Sequence, residues 1–391
     1  AVYPGDKNNL PYDVVVERLH IEEPEPPAPV TEPEKTFEEV LDEHSVSIQV
    51  NGQWQTFPNA KAAEEASYEE YKANLRRNAK NFRITDEHLG EGGPKAKFQA
   101  NVNAIRLLKE LEAAGQQASP EQQEVLSRYV GWGGLSDAFD PEKPAWALEY
   151  AQLKELLTPE EYAAARSSTL NAHYTSPTVI QAIYEAVGRM GFETGNILEP
   201  SMGVGNFFGM LPEEMRNSRL YGVELDPVSG RIAKQLYPKA DITVGGFETT
   251  DRRDFFDLAI GNVPFGQYQV NDKAYNKLNF NIHNYFFAKA LDQVRPGGVV
   301  AFVTSRYTMD AKDSTVRRYL AQRAELLGAI RLPNDAFKKN AGAEVVSDII
   351  FLQKRDRPLD IVPEWTQTGQ TEDGFAINRY FIDHPEMVLG R

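Results

Sequence analysis

The 391-residue chain contains no cysteine, which excludes disulfides and thiolate metal sites. Its six histidines are scattered without paired ligand spacing, so no structural metal is expected. No apolar run approaches the roughly 20 residues a membrane-spanning helix needs. The start, Ala1 to Leu10, is polar, carries Pro4 and Gly5, and lacks the pattern of a secretory signal. A soluble, cytoplasmic protein is the expectation that remains. Positive charge is short as well: 42 Lys and Arg stand against 57 Asp and Glu, a net −15, which argues against a nucleic-acid binder. The deficit is uneven. Residues 1–50 hold twelve acidic and three basic side chains, so that segment alone carries −9 and the other 341 residues −6. No basic stripe compensates, and any grip on DNA is expected to be local or supplied by a partner.

Residues 1–36 include IEEPEPPAPVTEPEK, too rich in Pro and Glu to bury a core, and are expected to be a disordered acidic linker. Residues 37–170 read as a mainly helical region. A hairpin is expected around Asn51-Gly52, between SVSIQV and QWQTF. A helix over Tyr68 to Ala79 ends in basic residues (Arg76, Arg77, Lys80). A second, over Lys95 to Ala114, sets Phe98, Val102, Ile105, Leu108 and Leu111 on one face. Gly115 closes it, Ser119-Pro120 opens the next with an N-cap and a proline at N1, and Thr158-Pro-Glu-Glu caps another. Between them lies the glycine turn Tyr129 to Leu135, whose Trp132 either covers a ligand pocket or packs a turn between helices.

From Asn196 the period changes. NILEP, RLYGVEL, ADITVGG, FDLAIGN, GGVVAFVTS, LLGAIRLP and SDIIFLQK are seven strand-like segments, the first five separated by helix or loop. They predict an α/β domain over 171–357, a Rossmann-like, mostly parallel sheet with helices on both faces. About 13 residues separate Pro333 from Val346, too few for a good crossover helix, so the last strand is expected to be antiparallel. Residues 358–391 form a C-terminal extension too short to be a domain.

Three segments carry chemistry. In Ile197-Leu-Glu-Pro-Ser-Met-Gly-Val-Gly-Asn-Phe207, Gly203 and Gly205 lie between a strand and a helix, where backbone must approach a ligand closely. Glu224, about 20 residues on, ends its strand where a carboxylate accepts hydrogen bonds from ribose hydroxyls, which suits NAD and S-adenosylmethionine equally. Asp257-Leu-Ala-Ile-Gly-Asn262-Val-Pro-Phe265 puts an Asn, a Pro and an aromatic at the C-terminal edge of the fourth strand. An amino group on an aromatic ring is a poor nucleophile because its lone pair is delocalised. The Asn262 side-chain oxygen and the Val263 carbonyl are two acceptors that could hold both amino hydrogens and favour a tetrahedral nitrogen, with Phe265 stacked on the ring.

The ordered series HYTSPTVI, ILEPSMGVGNF, YGVELDP, GNVPF, RPGGVVAFVTS and IRLPNDAF…SDIIFLQK resembles the motif order of gamma-class adenine-N6 DNA methyltransferases over about 180 residues. The resemblance implies an S-adenosylmethionine-dependent methyltransferase with an N-terminal helical subdomain, acting on DNA. It implies that Thr175 lies near the methionine carboxylate, that Glu199, Pro200, Gly203 and Gly205 form the cofactor loop, and that Glu224 binds the ribose. Phe247 and Phe286 would surround the cofactor adenine. Asn262, Val263, Pro264 and Phe265 would be the catalytic motif, and Phe337 a second aromatic stacking on a flipped target base. Two positions depart from the pattern. Val263 stands where a proline is usual, which removes rigidity but keeps the carbonyl. Gly246 stands where an Asp usually reads the cofactor's adenine amino group, unless Glu248 or Asp241 substitutes. The chain is also similar, through NFRITDEHLGEGGPKAKF, RYVGWGGL and FIDHPEMVLG, to one part of large helicase–methylase proteins of conjugative elements and phages, which implies helicase domains in the same polypeptide. There is no room for a separate recognition domain after Gly266. Two other readings stay open: an inactive methyltransferase-fold module that binds DNA, and a methyltransferase for RNA or protein. Arg76, Arg77, Lys80 and Arg83 either contact DNA or form a solvated helix face.

Overall fold

The computed structural model describes residues 45–169, 174–334, 336–337 and 346–389. The linker expected at 1–36 lies outside the described residues. The described residues form two compact units, one from 45–79 with 111–119, the other from the described residues within 80–110 and 120–389.

In the smaller unit, β1 (Val46–Val50) and β2 (Gln53–Phe57) form the expected antiparallel hairpin. Asn51 and Gly52 both take positive φ, +51° and +74°, as a two-residue turn of this kind requires. Alternation puts Val46, Ile48 and Val50 on one face, against Ala60 and Ala63 of the helix Ala60–Asn78. That helix begins well before Tyr68 because the Asn59 side chain accepts from Ala62 N at 2.8 Å. The Ala- and Glu-rich first turns carry too little apolar period to announce it.

The larger unit is built on one sheet. Its strands are β3 (Asn196–Glu199), β4 (Arg219–Glu224), β5 (Asp241–Val244), β6 (Phe256–Asn262), β7 (Val294–Ser305), β8 (Ala324–Arg331) and β9 (Ser347–Lys354). The order is β5-β4-β3-β6-β7-β9-β8. Pairings from β5 through β7 are parallel, and β9 runs antiparallel to both neighbours. The seven-stranded α/β sheet with its last strand reversed is therefore the one expected. Its central strands are nearly continuous apolar runs because helices cover both faces: Leu258, Ala259, Ile260, Val300, Ala301, Phe302, Ile350 and Leu352 are all buried.

Helix Pro94–Ala114 forms where its apolar face predicts it, and helices Pro120–Ser127 and Pro159–Ser168 where capping signals do, the last with a full Thr158/Glu161 capping box. Phe98, Val102, Ile105, Leu108 and Leu111 are each buried, as their spacing demands. At the far edge, β10 (Thr368–Gln370) and β11 (Ala376–Asn378) pair, and a bridge joins Arg331 to Val388. Buried Asn378 fastens this extension by donating to the Met309 and Trp365 carbonyls at 2.7 and 2.8 Å. Among the described residues no helix is long and apolar enough to cross a membrane.

Candidate functional site

The order of strand addition reverses between β3 and β6: β4 and β5 lie to one side, β7 to the other. In such sheets ligands bind in the crevice beyond the carboxyl ends of the strands at this point. The crevice here is lined by Tyr174, Thr175, Glu199, Gly203, Asn206 and Asn262, among others. Four residues assigned from sequence thus converge from three separate segments.

The loop after β3 explains the glycines. Gly203 and Gly205 have φ of +57° and +86°, in the left-handed region. A Cβ on Gly205 would strike the buried Tyr237 ring, so close packing as well as φ selects glycine there. Gly203 N donates to Glu224 Oε2 at 2.6 Å, and Asp226 N to Oε1 at 2.8 Å, which ties the loop to the end of β4. Asp226 itself caps the helix Pro227–Leu236 by accepting from Ser229 N.

Glu199 is 2 % exposed and its Oε2 has no hydrogen-bond partner. Burial pushes its carboxyl well above the usual range, and the charge of Glu224 adds to the shift. Burial also raises Glu224, to about 7, against the pull of the Asp226 and Gly203 amides. The two desolvated carboxyls, Glu199 lining the crevice and Glu224 behind its glycine loop, repel each other when ionised, so the site favours a ligand that brings positive charge and hydrogen-bond donors.

Opposite them, Asn262 Nδ2 donates to Thr175 Oγ1 at 3.0 Å, which fixes the orientation of the amide. Val263 N donates to Val303 O at 3.1 Å, extending the β6–β7 ladder one residue past Asn262, and its side chain is buried in the core. A proline could not make that bond. The ladder therefore holds the backbone at 263 by other means. Phe265 is partly buried against the same core.

The other aromatics stand apart from the crevice. Phe247 and Phe286 are both buried, with ring centroids 4.9 Å apart, so a third ring would lie beside them and not between. Phe337 is 1 % exposed and does not line the crevice. At Gly246 the Glu248 carboxylate folds back into the space where a side chain would begin. Asp241 is engaged elsewhere, 3.4 Å from Arg252 at an exposed strand end.

Tyr174, which adjoins Thr175, carries no signal of its own in the sequence, yet it lines the crevice. Its hydroxyl donates to Tyr129 O at 2.8 Å, and the turn that follows is pinned by buried Asn101, which accepts from Val130 N at 2.8 Å and donates to Gly131 O at 2.6 Å. Trp132 is packed edge-on to Phe139, Phe98 and Tyr129. It therefore braces the turn behind Tyr174 and does not cover the pocket. Of the basic run, Arg76 donates to Gly115 O, Arg77 bonds Asn74, and Arg83 lies 4.0 Å from Glu213, each on the surface.

Residues 239–337 match the family model described as Eco57I restriction-modification methylase. The chain is 28% identical over 272 residues to a protein of Escherichia phage P1 called defense against restriction protein B, an alignment covering 68% of this chain and 10% of that protein. It is 39% identical over 92 residues to Type II methyltransferase M.CvrRI of Paramecium bursaria Chlorella virus XZ-6E, covering 24% of each. The chain thus spans about a tenth and a quarter of these relatives' lengths. A solved structure from Listeria monocytogenes, described as a class I S-adenosylmethionine-dependent methyltransferase, overlays with a TM-score of 0.42 at 18% identity, covering 69% of this chain and 90% of that one. A likeness at that level adds nothing to the strand order. Residues 239–337, which hold β5 to β8 and the Asn262 edge, are thus the part of the chain that is similar to Eco57I-type restriction-modification methylases.

Proposed function

We propose that residues 171–357 bind S-adenosylmethionine and transfer its methyl group to the N6 amino group of adenine in DNA. On this reading residues 37–170 and 358–391 are the flanking region and extension of one part of a larger polypeptide that also holds helicase domains. The observation that carries the reading is the crevice that unites Thr175, Glu199, Gly203 and Asn262 around an unpartnered buried carboxylate oxygen. The chemistry of its donors and acceptors fits the cofactor, which is cationic at its amino group and its sulfur and carries ribose hydroxyls. When bound, it supplies an electrophilic methyl on a positively charged sulfur that leaves as a neutral thioether.

The chain's own residues do the rest. Glu199 accepts from the ammonium group and Glu224 from the ribose. The Thr175 hydroxyl accepts from Asn262 and keeps its proton for a carboxylate, so one side chain links the cofactor end of the crevice to the catalytic amide. The Asn262 oxygen and the Val263 carbonyl accept the two hydrogens of the target amino group, and Phe265 stacks on its ring. A flipped base would meet these acceptors at the crevice edge. The small share of the phage relative that the chain spans supports a place within a longer protein.

Incubation with labelled cofactor and unmethylated DNA, followed by nucleoside analysis, tests the reading. N6-methyladenine is the expected product. Label in cytosine, or in RNA or protein alone, would replace the substrate; no transfer to any acceptor would refute the enzyme.

A further inference from the structure

The segment that follows the catalytic motif differs in charge from the rest of the chain. Residues 263–346 hold twelve Lys and Arg against seven Asp and Glu, a net +5 in a protein of net −15. Much of this charge is spent inside: Lys289 pairs with Asp272 at 2.7 Å, and Arg331 with Asp348 and Asp310 at 2.8 Å. What remains outside includes Arg306 and Lys312, beyond the end of β7.

Register places Arg306 and Tyr307. Asn262 of β6 lies opposite Val303 of β7, so Arg306 and Tyr307 begin three residues further out, on the rim beside the catalytic amide. Tyr307 is 48% exposed; the Arg306 guanidinium lies 5.0 Å from its ring centroid and donates to its hydroxyl at 3.3 Å. On the other side, Tyr268 is 46% exposed and its ring folds back over Gly266, the neighbour of Phe265. Tyr268 and Thr308, the residue after Tyr307, are each tied to the first turn of the helix Ile282–Gln293: Ile282 N donates to Tyr268 O at 2.8 Å, and Thr308 Oγ1 to Asn284 Oδ1 at 3.1 Å. Two exposed aromatic rings thus flank the catalytic edge, one of them carrying a cation.

We propose that Tyr268, Arg306 and Tyr307 form a stacking and phosphate-binding rim that receives the unpaired nucleotides flanking the target base, so that single-stranded DNA is the preferred substrate. The inference rests on the DNA reading above and narrows it. Bases of an unpaired strand expose faces that tyrosine rings can stack on, whatever the sequence, while a duplex hides them. Arg306 is placed to take a backbone phosphate.

Fluorescence anisotropy tests it, with the 391-residue chain, no cofactor, and a labelled 12-nucleotide strand offered as single-stranded DNA, as duplex and as RNA. The single DNA strand is expected to bind tightest. Tyr268→Ala and Tyr307→Ala should each weaken that binding by roughly tenfold, and Arg306→Gln should also flatten its salt dependence. Equal or tighter duplex binding, tighter RNA binding, or variants that bind like the parent would each overturn the proposal. Because methyl transfer is not the readout, that failure would leave the methyltransferase reading standing, and loss of transfer with intact strand binding would do the reverse.

Discussion

Beyond β3 and β4 the sheet ends in two carboxyls, the buried Glu199 and the half-buried Glu224, whereas beyond β7 it ends in Arg306 and Tyr307, both open to solvent. The first region has little room and repels negative charge. The second is open and cationic in a strongly acidic protein. Asn262 ends β6, the strand between them, and its amide is bonded to Thr175 on the carboxyl side. A single sheet edge is thus divided by charge, which suits a small cationic ligand on one side and a polyanion on the other. Net charge of the whole chain hides this division, because most of the deficit sits in the first 50 residues.

The sharpest way to break the comparison is to remove its middle. Asn262→Ala takes away the proposed acceptor of the target amino group but touches neither carboxyl. Methyl transfer is expected to fall by about 10²- to 10³-fold, as for loss of one oriented catalytic hydrogen bond, while calorimetric cofactor affinity stays within a few-fold. A parallel loss of affinity would place Asn262 on the cofactor side instead. Next in size is Glu199→Gln, which keeps shape and removes charge. A charge-assisted hydrogen bond contributes about 1.5–3 kcal/mol, so cofactor affinity should drop about 10- to 100-fold, with single-strand binding unchanged. Unchanged cofactor affinity would sink the role given to the unpartnered Oε2.

Much of this division was legible in the sequence, and the parts that were not share a cause. The strands of the sheet were readable because buried strands are apolar runs, and the reversed β9 because the gap before it is too short for a crossover. Gly203, Gly205 and Glu224 were readable because loop geometry and the length of one β-α-β step fix their spacing. The Asn262–Thr175 bond was not, since it joins residues 87 apart. The support of Tyr174 by the turn at Tyr129 is likewise tertiary. The resemblance implies a stacking role for Phe337, while the fold buries its ring to 1% exposure, which no local pattern announces. The cationic surface at Arg306 is not legible in the total, because a local surplus of charge vanishes in a sum.

A smaller effect follows from pH. Burial raises the Glu224 carboxyl to about 7, above its unfolded value. A carboxyl raised in the folded state stabilises the ligand-free fold below its unfolded pKa, and that contribution is lost as pH rises through about 7. Cofactor binding runs the other way, since ribose donors and a nearby ammonium favour the ionised form and binding releases a proton. Affinity should therefore increase between about pH 6 and pH 7.5, by up to about tenfold if the bound form stays ionised. Glu224→Gln should flatten that profile. Calorimetry in buffers of different ionisation enthalpy would detect the proton, and its absence would refute the linkage.

The smallest expected effect tests how the carboxyl side compensates for Gly246. The Glu248 carboxylate occupies the space where a side chain at 246 would begin, next to the Phe247–Phe286 pair and one residue beyond Gly245, whose amide is bonded to Glu224 O at 2.8 Å. If that carboxylate accepts from the cofactor's adenine amino group, Glu248→Ala should weaken cofactor affinity a few-fold, about 1 kcal/mol for an exposed hydrogen bond. Gly246→Asp alone should not improve affinity, because the new side chain and Glu248 would compete for one space and repel. The double variant Gly246→Asp with Glu248→Ala should recover what the single Ala variant loses. Additive losses would instead mean that 246 and 248 act apart, and that the adenine lies where neither reaches it.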